Sequence, residues 1–234
     1  MSPVDRQALL DPARLDRPDT VVRDQPFSFL IAHGQLAPSD RLDLARDFPR
    51  YKSAGFFPYE ATDCGPSMVR LVDALAAPDF ANALGARLGI PNLGSYPSLV
   101  TICRSLNRRH GTIHTDSQSK IATALLYLNE SWPDTSEGCL RFLAHGESIE
   151  NLVAPEVRPV YGNLIAFKRA DNSFHGHLPC SGERHVVQIA WLTSEEEKMR
   201  KTRRGKVSRL FKGLFGRLDR RLGANRADNA AHRD

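Results

Sequence analysis

Five short runs of apolar and β-branched residues follow one another in the second half of the chain, and this succession constrains the fold more than any other feature. The runs are residues 99–103, 121–129, 139–143, 163–168 and 185–192. Segments rich in turn-forming residues separate them, as expected between strands. Short strands in this arrangement are typical of an antiparallel sandwich or barrel. We therefore predict a mainly β fold.

The first third of the chain has helical periodicity instead. Residues 40–47 and 66–88 place apolar side chains three and four positions apart, as at Met68, Leu71 and Leu75. A helix of this kind buries its apolar stripe against another element, so we expect supporting helices on one outer face of the sheet. The predicted organisation is a helical support over residues 1–97, a strand-rich core over 98–194 and a tail over 195–234.

The composition is that of an ordinary globular chain. Of 234 residues, 41% are hydrophobic and 25% charged, which excludes collagen-like, coiled-coil and wholly disordered proteins. No apolar run reaches 18 residues, and the first ten residues lack the apolar core of a signal peptide, so we expect a cytoplasmic protein. The four cysteines are too far apart for a C-x-x-C motif, which predicts reduced thiols.

The net charge of +5 is concentrated at the C-terminus. Residues 195–234 contain 13 Lys/Arg and 6 Asp/Glu, so the rest of the chain is slightly acidic. Within this tail, residues 203–222 place apolar side chains three, four and seven positions apart, with basic residues around them. This is the pattern of a basic amphipathic helix. We expect it to bind an anionic membrane surface at the inner membrane face, or else to pack on the body. Contact with nucleic acid is disfavoured, because the aromatic residues share the apolar stripe instead of alternating with arginines.

A candidate metal site lies in the strand-rich half. His114 and Asp116 are two residues apart, so in an extended segment both side chains point to the same side. His175 follows 59 positions later and supplies a possible third ligand. Two histidines and one carboxylate form the facial triad of non-haem Fe(II) oxygenases. His177 shares the face of His175 if the strand is regular, and is the alternative to it.

Arg184 is the candidate for binding an organic anion near this metal. It follows His175 by nine residues, across a segment that favours a turn, so both can lie close together on adjacent antiparallel strands. A forked guanidinium suits the far carboxylate of a dicarboxylate cosubstrate. Thr123 and Tyr127 share one face of a third predicted strand and add two hydroxyl groups to it.

These motifs together resemble a known enzyme family. The segments HTDSQSKIATALLYLNESW, GCLRFL, YGNLIAF, FHGHLP and GERHVVQIAWL, spanning about residues 98–192, are similar to the catalytic half of the 2-oxoglutarate- and Fe(II)-dependent dioxygenases, in the prolyl-hydroxylase-like branch. The resemblance implies a distorted double-stranded β-helix of the jelly-roll or cupin type. It further implies iron ligands at His114, Asp116 and His175, and a cosubstrate site at Arg184, Tyr127, Thr123 and Leu140. Where relatives often have two glycines, this chain has Glu137 and Gly138.

The resemblance implies a reaction that uses Fe(II), 2-oxoglutarate and O2. The enzyme would hydroxylate an unactivated C–H bond and release succinate and CO2. Its substrate would be a small molecule or a peptidyl residue, with an anionic glycan or lipid-linked molecule among the candidates. Arg104, Arg108, Arg109 and Lys120 form either a positive mouth beside the iron or a solvated loop. The alternative function is a non-catalytic metal-binding β-helix module that acts at a membrane surface or with a partner.

Overall fold

A seven-stranded antiparallel sheet forms the centre of the computed structural model, which describes residues 9–205. The strands are β1 (Val21–Arg23), β2 (Phe29–Ala32), β3 (Phe56–Pro58), β4 (Ser98–Leu106), β5 (Lys120–Tyr127), β6 (Arg141–Phe142), β7 (Leu164–Lys168), β8 (His175–Gly176) and β9 (Gly182–Leu192). The α-helices are α1 (Arg41–Asp47), α2 (Pro66–Ala76) and α3 (Pro78–Leu88), followed after β9 by α4, described over residues 195–205. Short 3-10 helices span Pro12–Asp16, Pro38–Asp40, Ala61–Asp63 and Leu93–Ser95.

The large sheet has the strand order β1-β2-β7-β5-β9-β4-β3, and every pair in it is antiparallel. A second, two-stranded sheet pairs β6 with β8 and is extended by isolated bridges such as Leu140 with Val157. The two sheets form a distorted double-stranded β-helix, so the predicted fold class is confirmed.

Strand β5 lies at the centre of this arrangement and is buried on both faces. Its side chains alternate between two apolar clusters, because successive residues of a strand point to opposite sides of the sheet. Leu126 belongs to the cluster between the large sheet and the helices, whereas Leu125 and Tyr127 belong to the cluster between the two sheets. The inner cluster is the one that carries the polar side chains of the site.

Helices α2 and α3 cover the outer face of the large sheet, as the helical periodicity predicted. Met68, Leu71 and Leu75 of α2 are fully buried in the outer cluster. The N-terminus of α2 is capped from a distance: Asp47 accepts hydrogen bonds from the Ser67 backbone N–H (2.8 Å) and the Ser67 hydroxyl (2.7 Å). This cap joins the end of α1 to the start of α2.

Three strands of the N-terminal third were not predicted. β1 and β2 extend one edge of the large sheet and β3 extends the other. They have only three or four residues each, and all four residues of β2 are buried, so neither length nor alternation distinguishes them in the sequence. β2 pairs with β7 and β3 pairs with β4, and this pairing stabilises the strand conformation.

The C-terminal helix α4 returns toward the sheet after β9. Its last described residue, Gly205, lies against the side chain of Pro58 in β3. No helix within residues 9–205 is long and apolar enough to cross a membrane. The amphipathic pattern predicted over residues 203–222 lies outside the described residues from residue 206 onward.

Candidate active site

His114, Asp116 and His175 meet at one point of the inner face. One ligand atom from each lies within 4.8 Å of the other two. The two histidines form a backbone bridge, in which each N–H donates to the carbonyl oxygen of the other at 3.0 Å. This bridge brings the imidazole rings to 4.4 Å between centroids. The strand pairing thus brings together two residues that are far apart in sequence.

Backbone hydrogen bonds orient both imidazole rings. His114 Nδ1 lies 2.9 Å from the Thr112 carbonyl oxygen, and His175 Nδ1 lies 2.9 Å from the Ser173 carbonyl oxygen. A carbonyl oxygen only accepts, so Nδ1 donates in each ring and Nε2 is the nitrogen left to bind a metal. Ring orientation of this kind is the usual support for a metal-binding histidine.

The Asp116 carboxylate is 9% exposed and held by two donors. Lys120 Nζ donates to Oδ1 at 2.8 Å, and the Thr123 hydroxyl donates to Oδ2 at 2.5 Å. Burial alone would raise the pKa of Asp116, but the positive charge of Lys120, the proximity of the His175 ring and the two hydrogen bonds outweigh it and lower the pKa. The carboxylate is therefore ionised near neutral pH, as a metal ligand requires.

His175 is neutral near neutral pH. Its burial, followed by the proximity of His114, lowers the pKa of His175 to about 4. The ring also packs against Phe167, with 4.4 Å between centroids. Because the neutral ring keeps the lone pair on Nε2, no proton has to leave His175 before a metal binds at pH 7.

Arg184 is a buried cation with neutral partners. It is 2% exposed, and its Nε donates to the Gly138 carbonyl oxygen at 3.0 Å. Nη2 donates to the Tyr127 hydroxyl at 3.3 Å. No aspartate or glutamate in the described part of the chain forms an ion pair with it. A buried charge without a counter-ion is costly, so this arrangement favours an anionic ligand.

The triad and Arg184 line the same cavity, which has a volume of about 290 Å³. Thr123 and Leu140 lie in its wall with them, and Tyr127 lies beneath Arg184. His177, the alternative to His175, lines the cavity too, but its Nδ1 lies 2.8 Å from the Leu178 carbonyl oxygen and its ring is not part of the triad cluster. The cavity therefore offers a metal-ligand set at one place and a buried cation at another.

Comparison with known families agrees with this chemistry. Residues 101–193 match the model of the 2OG-Fe(II) oxygenase superfamily. These residues belong to that superfamily. The protein is thus a 2-oxoglutarate-dependent dioxygenase that uses Fe(II), 2-oxoglutarate and O2.

Solved structures similar to the dioxygenase include prolyl hydroxylases. A Pseudomonas putida prolyl-4-hydroxylase is 24% identical, with 66% of this chain and 81% of that chain covered and a TM-score of 0.45. A Trichoplax adhaerens prolyl hydroxylase in complex with a hypoxia inducible factor peptide fragment is 15% identical over 73% and 86% of the two chains, with a TM-score of 0.49. A collagen prolyl hydroxylase of Paramecium Bursaria Chlorella virus-1, in complex with 2-oxoglutarate, is 15% identical over 70% and 93%, with a TM-score of 0.45. No curated protein matches the chain.

The donor set of the dioxygenase fits Fe(II). Two imidazoles and one carboxylate are the 2-His-1-carboxylate set that suits this metal. The buried Arg184 fits the distal carboxylate of 2-oxoglutarate by charge and fork geometry. The donor set and the buried cation thus both agree with the cofactors of the superfamily.

The structure separates the four cations for which the sequence left open a positive mouth or a solvated loop. Arg104 pairs with Glu183 at 2.7 Å, and Arg108 is an exposed residue 3.9 Å from Glu137. Of the four predicted cations, Lys120 alone lines the cavity. Sequence reasoning missed Lys201 of α4, which reaches the Ser117 hydroxyl next to Asp116. No local pattern signals this contact, because the two residues are 84 positions apart.

Proposed function

We propose that His114, Asp116 and His175 bind the Fe(II) of this dioxygenase, and that Arg184 binds the distal carboxylate of 2-oxoglutarate. The observation that carries the proposal is the buried, uncompensated charge of Arg184 in the cavity that also contains the triad. Bound Fe(II) supplies the chemistry that couples oxidative decarboxylation of 2-oxoglutarate to hydroxylation of an unactivated C–H bond. Succinate and CO2 are the other products.

The roles of the protein side chains follow from their contacts. Tyr127 orients the guanidinium of Arg184 through its hydroxyl and its ring face, which lies 5.1 Å from the guanidinium carbon. Leu140 supplies an apolar wall against the methylene groups of 2-oxoglutarate. For Thr123 the resemblance implied a direct cosubstrate contact, but its hydroxyl proton is donated to Asp116, which supports a different role. We assign Thr123 the role of positioning that carboxylate.

The side chains also determine where water is excluded. His175 and Tyr127 are buried among apolar residues, whereas His114 is exposed at the cavity mouth. A substrate that enters past His114 therefore covers the exposed side of the metal site.

The substrate class proposed from the sequence is a small molecule or a peptidyl residue, and nucleic acid is disfavoured.

Succinate release tests the proposal. Purified protein supplied with Fe(II), ascorbate and 2-oxoglutarate is expected to form succinate even without its substrate, through uncoupled turnover. The matched control is His175→Ala, which retains the cavity and lacks one ligand. Binding of metal and 2-oxoglutarate without any succinate, in the presence of candidate substrates, would instead favour the non-catalytic metal-binding module.

A second proposal concerns the tail and rests on the sequence of residues 203–222. We propose that this segment attaches the enzyme to anionic membrane surfaces, because each basic residue near such a surface contributes about 1 kcal/mol. The test compares the full chain with a chain that ends at Gly205 in sedimentation with anionic and with neutral vesicles. Preferential sedimentation of the full chain with anionic vesicles is expected. Equal sedimentation of both chains would contradict membrane attachment and leave the catalytic assignment intact.

A further inference from the structure

The start of β5 and helix α4 meet beside the metal ligand Asp116, on one side of the cavity mouth. Where β9 ends, the Thr193 backbone N–H donates to the Ser119 carbonyl oxygen at 3.0 Å. From there α4 leads back, and the Lys201 ammonium donates to the Ser117 hydroxyl at 2.8 Å. The Ser117 and Ser119 hydroxyl oxygens lie 3.1 Å apart. Two hydroxyl groups and one ammonium group therefore converge at this rim.

A second ammonium group belongs to the same cluster. Lys120 follows Ser119 in the chain, and its side chain is 14% exposed and lines the cavity. Lys201 forms no ion pair with any carboxylate in residues 9–205, and its burial, together with the nearby Lys120 and Arg200, lowers the pKa of its ammonium. Two ammonium groups held close together repel each other, and an anion between them removes that repulsion.

The acidic residues around the cluster are already paired. Glu197 of α4 forms an ion pair with Arg200 at 2.5 Å, and its carboxylate also accepts a hydrogen bond from the Ser119 hydroxyl. On the other side, Asp171 pairs with Arg169. Asp116, which Lys120 contacts, is one of the three proposed metal ligands. Near the cluster, three cations (Lys120, Lys201 and Arg200) therefore face two carboxylates (Asp116 and Glu197), and within the described residues Lys201 is the cation without a direct ion pair.

We propose that Ser117, Ser119, Lys120 and Lys201 form a rim subsite that binds an oxyanion of the substrate, a phosphate or a carboxylate. Hydroxyl and ammonium groups are donors to such an anion, and their convergence gives a site for several of its oxygens at once. The subsite rests on the proposed function in one respect only, namely that the anion belongs to the substrate of the dioxygenase. Binding of the anion itself requires neither Fe(II) nor 2-oxoglutarate.

Titration of the metal-free, full-length protein with inorganic phosphate tests the subsite, with ³¹P NMR line width as the measurement. The wild-type protein is expected to bind phosphate saturably, and Lys201→Gln to weaken the affinity about tenfold, because one charge-assisted hydrogen bond is lost. Lys198→Gln is the matched control, since this lysine of the same helix is 3.7 Å from Glu195 and makes no contact with the rim. Its affinity is expected to equal that of the wild type.

Arg184→Gln separates the rim subsite from the cosubstrate site. This variant is expected to keep the wild-type phosphate affinity. Loss of phosphate binding in Arg184→Gln together with normal binding in Lys201→Gln would place phosphate at the cosubstrate site and overturn the proposal. Equal affinities of the wild type and Lys201→Gln would overturn it as well, and so would a complete lack of saturable binding.

Acetate as a competitor identifies the class of anion. Displacement of phosphate by acetate at similar concentration indicates a carboxylate substrate, and failure of acetate to compete indicates a phosphorylated one. Both results support the subsite. If phosphate does not bind, the subsite is contradicted, and the proposed enzyme activity is still tested by succinate release. If no succinate forms, the proposed function is contradicted, and a measured phosphate site is unaffected.

Discussion

The guanidinium carbon of Arg184 lies 5.1 Å from the centre of the Tyr127 ring, and the same guanidinium donates to the Tyr127 hydroxyl at 3.3 Å. β9 and β5 are neighbours in the large sheet, so their pairing holds these two side chains together on the inner face. The contact leaves part of the guanidinium fork without a partner. That free part faces the cavity that contains the triad.

Replacement of Arg184 is therefore expected to impair cosubstrate binding selectively. Arg184→Gln should raise the 2-oxoglutarate concentration needed for half-maximal succinate release about 10- to 100-fold, the equivalent of one charge-assisted interaction. The measurement is succinate formation as a function of 2-oxoglutarate at saturating Fe(II). An unchanged requirement would show that another cation, such as Lys168 at the exposed end of β7, binds the cosubstrate.

Removal of any triad side chain is expected to abolish metal-dependent turnover and to weaken metal binding directly. His114→Ala, Asp116→Ala and His175→Ala should each lower Mn(II) affinity more than about 100-fold, beyond the range seen for residues that only support a ligand. Electron paramagnetic resonance of free Mn(II) measures the affinity without activity. His177→Ala is the control and is expected to keep its Mn(II) affinity. Loss of Mn(II) binding in His177→Ala, with normal binding in His175→Ala, would show that His177 and not His175 is the metal ligand.

Thr123 is expected to affect the metal through Asp116. Thr123→Val keeps the shape of the side chain and removes the hydroxyl that donates to Oδ2. We expect about a tenfold loss of Mn(II) affinity, the lower end of the range for such supporting residues. Thr101→Val is the matched control, because the Thr101 hydroxyl accepts from Gln188 and contacts no ligand. If Thr123→Val changes the 2-oxoglutarate requirement more than the Mn(II) affinity, Thr123 contacts the cosubstrate directly.

Asp47 is expected to stabilise the helical layer in a pH-dependent way. Asp47→Asn should lower the free energy of unfolding at pH 7 by about 1–2 kcal/mol, because it weakens a buried helix cap. Hydrogen bonds from Arg46 and from Ser67 lower the pKa of Asp47 to about 2, against 3.8 ordinarily. The unfolded state therefore takes up the proton first as the pH falls, so this stabilisation is complete above about pH 4 and disappears toward pH 2.

Urea unfolding of the wild type and of Asp47→Asn at several pH values measures this effect. The difference between the two proteins isolates Asp47 from the other carboxylates. Asp43→Asn serves as the control, because the Asp43 pair with Arg46 is exposed and should contribute less than about 1 kcal/mol. A difference that stays constant down to pH 2 would contradict the capping role.

The strand-rich half of the fold was predictable because it follows local rules. β4, β5, β7 and β9 are long enough to show their apolar pattern, and the helices from Pro66 onward show theirs. The strands before residue 60 were not predictable, because their conformation comes from pairing with distant strands.

The triad residues could be named from the sequence because His114 and Asp116 are two residues apart and the motifs around them resemble those of a known family. Their supporting contacts could not all be named in the same way. Lys201 reaches Ser117 from a helix that follows the last strand, and the Gly138 carbonyl that receives Arg184 is a backbone group with no signature in residue type. Contacts of these two kinds depend on the final path of the chain.

The alternation of β5 between two apolar clusters links folding to catalysis. Thr123 and Tyr127 lie on the inner face of the sheet only in the observed register, in which Thr123 is opposite Phe167 on one side and Ala190 on the other. A slip of one residue would turn both hydroxyl groups into the helical layer and place an alanine and a leucine at their positions instead. A chain misfolded in this way would be unable to turn over 2-oxoglutarate at all, so succinate release also reports how many molecules in a preparation have attained the correct strand register.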